Sequence, residues 1–88
     1  MINTLFDTWT SRYDSWFETP SGILIKQYES QVLLELLNPL PREKILDVGC
    51  GTGIFTIDVM ALGPIITGVD ISRPMLRKAM DKTNQAVF

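Results

Sequence analysis

The sequence contains no histidine and one cysteine, Cys50, among its 88 residues. No disulfide can therefore form within the chain. Without histidine, and without cysteines or carboxylates clustered at ligand spacing, we expect no protein-held metal. Cys50 lies between two glycines, a place that small residues commonly occupy, so we do not expect a catalytic thiol there.

Long apolar runs and an excess of basic residues are also missing. No stretch of about twenty apolar residues occurs, and the amino terminus has acids and aromatic residues where a signal peptide has basic and then apolar ones. We therefore expect a cytoplasmic protein with no membrane partner. The net charge is −2, with acids and bases interspersed, so no basic stripe is available for a phosphate backbone. This composition predicts no nucleic-acid partner.

Residues 44–53 are the most informative segment and read Lys-Ile-Leu-Asp-Val-Gly-Cys-Gly-Thr-Gly. A short apolar strand ends in one acid and opens into three alternating glycines. Glycine permits backbone angles that other residues disfavour, and it lets main-chain N–H groups approach a bound molecule. We therefore predict that Gly49, Gly51 and Gly53 form a ligand-binding turn. The Asp47 carboxylate would repel a pyrophosphate and attract an ammonium group.

A helix and a second strand follow this turn. Residues 52–62 carry apolar side chains at helical spacing, and Gly63 and Pro64 end that helix. Residues 65–71 form a β-branched run, which predicts a strand that is buried on both faces. Asp70 ends this strand, at the place where an acid can accept hydrogen bonds from ribose hydroxyls.

A further helix is predicted from Ser72 to about residue 83, because Ser72 can cap it and Pro74 suits its first turn. With Ser72 as the cap, Asp70 stays available for a ligand. Residues 84–88 read as the start of a third strand. A doubly wound α/β enzyme normally needs well over a hundred residues. We therefore expect the amino-terminal part of a longer protein, inactive by itself. We expect copies of it to self-associate, through the exposed edge of the first strand or by exchanging helices.

Phosphate-binding alternatives fit the glycines less well. A dinucleotide fingerprint requires a third glycine three positions after the second, and neither reading of the three glycines places one there. Nucleoside triphosphate loops contain Gly-Lys-Ser or Gly-Lys-Thr, which this chain lacks.

Residues 44–53, followed by Gly-Val-Asp-Ile-Ser-Arg-Pro-Met-Leu at residues 68–76, resemble the first two motifs of class I S-adenosylmethionine-dependent methyltransferases. The resemblance covers about half of the chain and implies an incomplete Rossmann-like α/β fold. In that family the glycine loop wraps the methionine part of the cofactor, and the acid at the end of the first strand belongs to the network that holds its amine. By resemblance, Asp47, Gly49 and Gly51 take these places.

The second motif is similarly assigned by the resemblance. Asp70 would hold the ribose hydroxyls, Ile71 would pack on the adenine, and Met75 would add to the adenine wall, although its helical spacing also suits a core residue. The predicted cofactor is S-adenosylmethionine.

The first forty residues form a separate helical region. A helix over residues 3–13 places Phe6, Trp9 and Tyr13 on one face, with Asn3 available as its cap. A second helix begins at Thr19-Pro20 and ends at Asn38-Pro39. Its expected buried stripe includes Leu24, Tyr28, Val32 and Leu36 or their neighbours, whereas Lys26, Glu29, Ser30 and Glu35 are expected to face water.

Residues 12–17, Arg-Tyr-Asp-Ser-Trp-Phe, also resemble the leader of small-molecule methyltransferases, including the quinone-biosynthesis type. In those proteins such helices lie over the cofactor pocket, so Tyr13 is the predicted lid residue. The two predicted regions are a lid at 1–40 and the first half of the cofactor domain at 41–88. The predicted activity is methyl transfer to a small-molecule acceptor, with no catalytic residue assigned. The alternative is a methyltransferase-like binding or interaction module without catalysis.

Overall fold

The computed structural model describes residues 5–88, with their side chains from residue 8 onward. Helix α1 spans Leu5–Trp16 and helix α2 spans Pro20–Leu37. The predicted cap Asn3 and the side chain of Phe6 lie outside the described residues. Just after α1, the Phe17 ring packs edge-on against Tyr13 and Trp16, with centroids 5.2 and 5.1 Å away.

Both ends of α2 agree with the sequence prediction. The Thr19 hydroxyl accepts a hydrogen bond from the Gly22 N–H at 3.1 Å, and Pro20 occupies the first turn. At the other end Asn38 adopts the left-handed conformation, with φ of 43°, and its N–H bonds to the Leu34 carbonyl. Local capping chemistry therefore explains both boundaries of this helix.

The predicted buried face of α2 is wrong. Leu24, Tyr28, Val32 and Leu36 are all exposed, Leu36 by 82%. The inward face instead begins at buried Gly22 and continues through half-buried Lys26, Ser30 and Leu34. Asp58 holds this face of α2 inward. Its carboxylate accepts a hydrogen bond from the Ser30 hydroxyl at 2.5 Å and pairs with the Lys26 ammonium at 3.2 Å.

Strands β1 (Lys44–Val48) and β2 (Ile65–Val69) pair in parallel, with helix α3 (Thr56–Met60) in the connection between them. Helix α3 is shorter than the predicted 52–62, because residues 49–55 form turns in which all three glycines have positive φ. Parallel pairing brings the carboxyl ends of both strands to one edge of the sheet, next to the glycine loop.

Helix α4 spans Arg73–Lys82, and Ser72 caps it as predicted by accepting from the Met75 N–H at 3.4 Å. After α4 the chain returns to the sheet, where Val87 makes one parallel bridge to Thr67 of β2. This bridge lies at the residues that the sequence assigns to a third strand. Within residues 5–88, β1 has β2 as its strand partner on one edge and none on the other.

The two faces of the sheet differ in burial. Ile66 is 2% exposed and lies on the face that also carries Asp47 and Gly68. The opposite face is exposed, with Leu46 at 62% and Val48 at 74%. The prediction that the second strand is buried on both faces is therefore wrong, because within the described residues it is alternate positions of β2 that are covered.

Candidate cofactor-binding site

A cleft of about 530 Å³ opens at the carboxyl ends of the two strands. Its lining comes from α1, both strand ends, the glycine loop and α4: Tyr13, Val48, Gly49, Gly51, Val69, Asp70, Ile71 and Met75. Ligands of open parallel sheets bind at this edge, beyond the carboxyl ends of the strands. The structure thus brings six of the seven residues predicted from the sequence into one cleft, and Asp47 is the exception.

The glycine loop lines the cleft with its backbone. Gly49 and Gly51 have φ of 75° and 57°, where side-chain-bearing residues are strained, and a Cβ at either position would meet no atom within 4 Å. The space beside them is therefore open to a ligand. The loop's amides, however, are directed to β2: the N–H groups of Gly49 and Cys50 donate to the Val69 carbonyl at 2.7 and 3.0 Å.

Asp70 ties the loop to the second strand. One carboxylate oxygen accepts from the Gly51 N–H at 2.8 Å, and the other accepts from the Ser72 N–H at 2.9 Å. Ser72 is the cap as expected, but Asp70 itself bonds to two backbone amides, and its availability for a ligand stays a prediction. A carboxylate has about four acceptor positions, so each oxygen retains one for a ligand.

Asp47 lies on the other side of the sheet end. Its carboxylate accepts a hydrogen bond from the Thr56 hydroxyl at 2.6 Å and faces a second cavity of about 210 Å³. Phe55, Val59 and Ile66 also line that cavity. The electrostatic influence of Asp47 nevertheless reaches the glycine loop, as the thiol of Cys50 shows.

Burial, together with the negative charges of Asp47 and Asp70, raises the pKa of Cys50 to about 11. The thiol is therefore protonated at neutral pH, which makes it a poor nucleophile. The charges of both carboxylates therefore act on the thiol of this loop.

Ile71, Met75 and Tyr13 are among the side chains that form the apolar surface of the cleft. Ile71 is 79% exposed just beyond Asp70, whereas Met75 is 3% exposed and forms the floor. Tyr13 stands at the rim, 36% exposed, and partial burial together with the charge of Asp14 raises the pKa of its hydroxyl. Tyr13 therefore stays neutral at physiological pH.

Sequence reasoning missed a polar cluster behind the rim. Asp14 accepts hydrogen bonds from the Thr52 hydroxyl and from the Lys82 ammonium, both at 2.6 Å, and Lys82 also donates to the Thr52 carbonyl at 2.8 Å. These residues are 30 to 68 positions apart, and no local pattern in the sequence connects them. Val48 and Val69, which line the cleft, were also missed, although each adjoins a motif residue.

Residues 45–87 match a protein family described as "Methyltransferase domain". This match spans both strands, the glycine loop and α4, and so includes most of the cleft. The chain belongs to the class I S-adenosylmethionine-dependent methyltransferases.

Two curated relatives illustrate the range of this family. A 23S rRNA (uracil(1939)-C(5))-methyltransferase of Chromobacterium violaceum is 38% identical over 48 residues, which are 54% of this chain and 9% of that protein. Nocamycin O-methyltransferase of Saccharothrix syringae is 32% identical over 76 residues, which are 83% of this chain and 25% of that protein. This methyltransferase chain thus spans a quarter or less of the lengths of both relatives.

Solved structures share the fold. A chain from the Haloferax volcanii complex between the Trm112 methyltransferase activator and a methyltransferase superposes with a TM-score of 0.78 at 17% identity, covering 100% of this chain and 39% of that one. Haemonchus contortus phosphoethanolamine N-methyltransferase 2, solved with S-adenosyl-L-methionine, gives a TM-score of 0.58 at 20% identity, covering 97% and 24%. Both support an incomplete Rossmann-like methyltransferase fold.

The partner prediction is corrected by these comparisons. The composition predicted no nucleic-acid partner, and that prediction is wrong, because a relative at 38% identity acts on ribosomal RNA. A protein with the same fold is part of a complex with a protein activator. The prediction failed because this chain matches only 9% of the length of the rRNA methyltransferase. The net charge of a cofactor-binding segment does not determine the charge of the surface that binds the acceptor.

Two expected absences concern metals and membranes. In the part of the chain that the structure describes, no three metal-ligating side chains come together as a site. None of the helices described between residues 5 and 88 is both long and apolar enough to cross a bilayer. The cytoplasmic location expected from the sequence stays a prediction.

Proposed function

We propose that this chain binds S-adenosylmethionine in the cleft at the strand ends and supplies the cofactor-binding part of a methyl-transfer reaction. The observation that carries the proposal is the chemistry of the glycine loop. Its amides at 49 and 50 bond to the Val69 carbonyl of β2, and its amide at 51 bonds to the Asp70 carboxylate just beyond that strand. A phosphate would meet negative charge and no set of free amides there, whereas a cationic ligand is favoured.

S-adenosylmethionine carries positive charge at its sulfonium and its amino group. In the proposal, Gly49 and Gly51 give the methionine part close access to the backbone, where a Cβ would occupy the open space. Asp47 acts on the amino group through its field and through the network that includes Thr56, since its carboxylate lies outside the cleft lining.

The adenosine part has its own proposed contacts. Asp70 accepts from the ribose hydroxyls with the acceptor positions left by Gly51 and Ser72. Ile71 and Met75 form the apolar wall for the adenine, and exposure of Ile71 leaves its face open for stacking. Tyr13 closes over the methionine end from the rim. Residues 1–40 then serve as the lid region, and residues 41–88 as the first half of the cofactor domain.

The bound cofactor supplies an electrophilic methyl group on sulfur. The described residues hold the cofactor in position, which is where most of the rate gain of a displacement arises. We propose a small-molecule acceptor, because nocamycin O-methyltransferase matches over 76 residues, whereas the rRNA enzyme matches over 48. RNA remains an acceptor class for the test to decide.

Calorimetry with S-adenosylmethionine and S-adenosylhomocysteine tests cofactor binding directly. We expect both to bind one site, while NAD and ATP bind at least about a hundredfold more weakly because their phosphates meet the carboxylates. Equal or tighter binding of NAD or ATP would overturn the proposal. Transfer of a radiolabelled methyl group to small hydroxy compounds or to RNA then identifies the acceptor class.

A further inference from the structure

We infer that Asp14, Thr52 and Lys82 act as positioning residues for the cofactor cleft, holding Tyr13 at its rim. The cluster joins three elements at one point: Asp14 belongs to α1, Thr52 to the glycine loop, and Lys82 to the last turn of α4. As regards the cofactor itself, this inference rests on the proposed function.

The geometry of the cluster is that of a strong polar contact. The Asp14–Lys82 ion pair is short, at 2.6 Å, and both side chains are less than a quarter exposed. Each Asp14 oxygen has its own donor, the Thr52 hydroxyl for one and the Lys82 ammonium for the other. Charge-assisted hydrogen bonds such as this one are stronger than those between neutral groups.

Tyr13 is the residue that this cluster positions. It precedes Asp14 in α1, so fixing the Asp14 carboxylate fixes the helix turn that carries the phenol. A second contact supports the same placement, because the Phe17 ring packs edge-on against both Tyr13 and Phe55, with the Phe55 centroid 5.7 Å away. The polar cluster and the aromatic contacts therefore attach α1 and its following residue Phe17 to the carboxyl-terminal part of the glycine loop and to Phe55 just after it.

Thr52 couples the glycine loop to α1 and to α4. Its side chain is 0% exposed, its hydroxyl contacts α1, and its carbonyl accepts from Lys82 of α4. A change in the backbone conformation between Gly51 and Gly53 therefore moves the Thr52 hydroxyl, which donates a hydrogen bond to Asp14. A ligand that orders this loop therefore also stabilises the observed contacts of α1 with Thr52 and Lys82. Those contacts in turn favour binding of the ligand by the same factor.

Hydrogen exchange on the 88-residue chain tests the attachment without any ligand. Lys82→Met removes the ammonium and keeps much of the apolar stem, and we expect amide exchange in residues 8–16 to become roughly tenfold faster while β1 and β2 change little. Lys78→Met, on an exposed turn of the same helix, is the matched control and leaves exchange unchanged. Lys82→Arg retains the cation, so we expect protection to return. Unchanged exchange in Lys82→Met would overturn the inference.

A double-mutant cycle with Tyr13→Ala tests whether the cluster acts through Tyr13. Lys82→Met should weaken S-adenosylhomocysteine binding about five- to tenfold in the parent chain and less than about twofold when Tyr13 is already alanine. Equal losses in both backgrounds would show a general structural role and overturn the inference. If the parent chain binds no S-adenosylhomocysteine while Lys82 still controls exchange in α1, the proposed function fails and the positioning role stands. Should Lys82→Met fail to fold, Asp14→Asn replaces it in both experiments.

Discussion

The carboxylate of Asp70 and the amide of Gly51 are joined by a 2.8 Å hydrogen bond that links the end of β2 to the glycine loop. Because the other Asp70 oxygen accepts from the Ser72 N–H, one side chain holds both the loop and the start of α4. The acid that would bind ribose is thus also the acid that shapes the loop beside it.

Asp70→Asn tests this double role. The amide group replaces one acceptor oxygen with a donor, which then faces a backbone N–H, so we expect a stability loss of about 1–3 kcal/mol and at least about tenfold weaker cofactor binding. Urea unfolding and calorimetry measure the two effects. Asp81→Asn, on the exposed side of α4, is the matched control. Undiminished binding by Asp70→Asn would remove Asp70 from the site.

Ile71 offers a cleaner separation of binding from folding. The side chain is 79% exposed, so Ile71→Ala should change the free energy of unfolding by less than about 0.5 kcal/mol. Loss of the proposed adenine contact should weaken cofactor binding about three- to tenfold. Leu36→Ala removes a similarly exposed apolar side chain, 82% exposed, from α2 and should leave affinity unchanged. Equal affinities for both variants would contradict the adenine role.

Gly22 sets the approach of α1 to α2. A Cβ at this position would collide with the carbonyl oxygen of Trp16 and lie 2.8 Å from the Phe17 Cα, and both are backbone atoms that cannot turn aside. Gly22→Ala should therefore destabilise the chain by about 1–3 kcal/mol, despite the higher helix propensity of alanine. Thermal unfolding measures the loss, with Ser21→Ala as the exposed neighbouring control. A more stable Gly22→Ala variant would show that the two helices separate easily.

The thiol of Cys50 should be slow to react. With its pKa raised to about 11, iodoacetamide at pH 8 should modify the folded chain roughly a hundredfold more slowly than the urea-unfolded chain, whose thiol has an ordinary pKa. Because the folded state keeps its proton to higher pH, this group's contribution to stability is full below the unfolded pKa and declines as pH rises toward 11. Reaction rates that match in the two states would contradict the raised pKa.

Several features followed from local chemistry in the sequence. Thr19, Pro20 and Asn38 predicted the ends of α2, and Ser72 predicted the start of α4, because a cap depends on a few adjacent residues. The glycine loop was predicted equally well, since positive φ values demand glycine.

Tertiary structure decided the rest. Helix α2 is apolar on several sides, so its periodicity could not identify the buried face, and the choice came from Gly22 against α1 and from Lys26 and Ser30 against Asp58. The cluster of Asp14, Thr52 and Lys82 likewise exists only after folding. Caps and turns are set by neighbours in the chain, whereas a buried face or a distant ion pair is set by whichever surfaces the fold brings together.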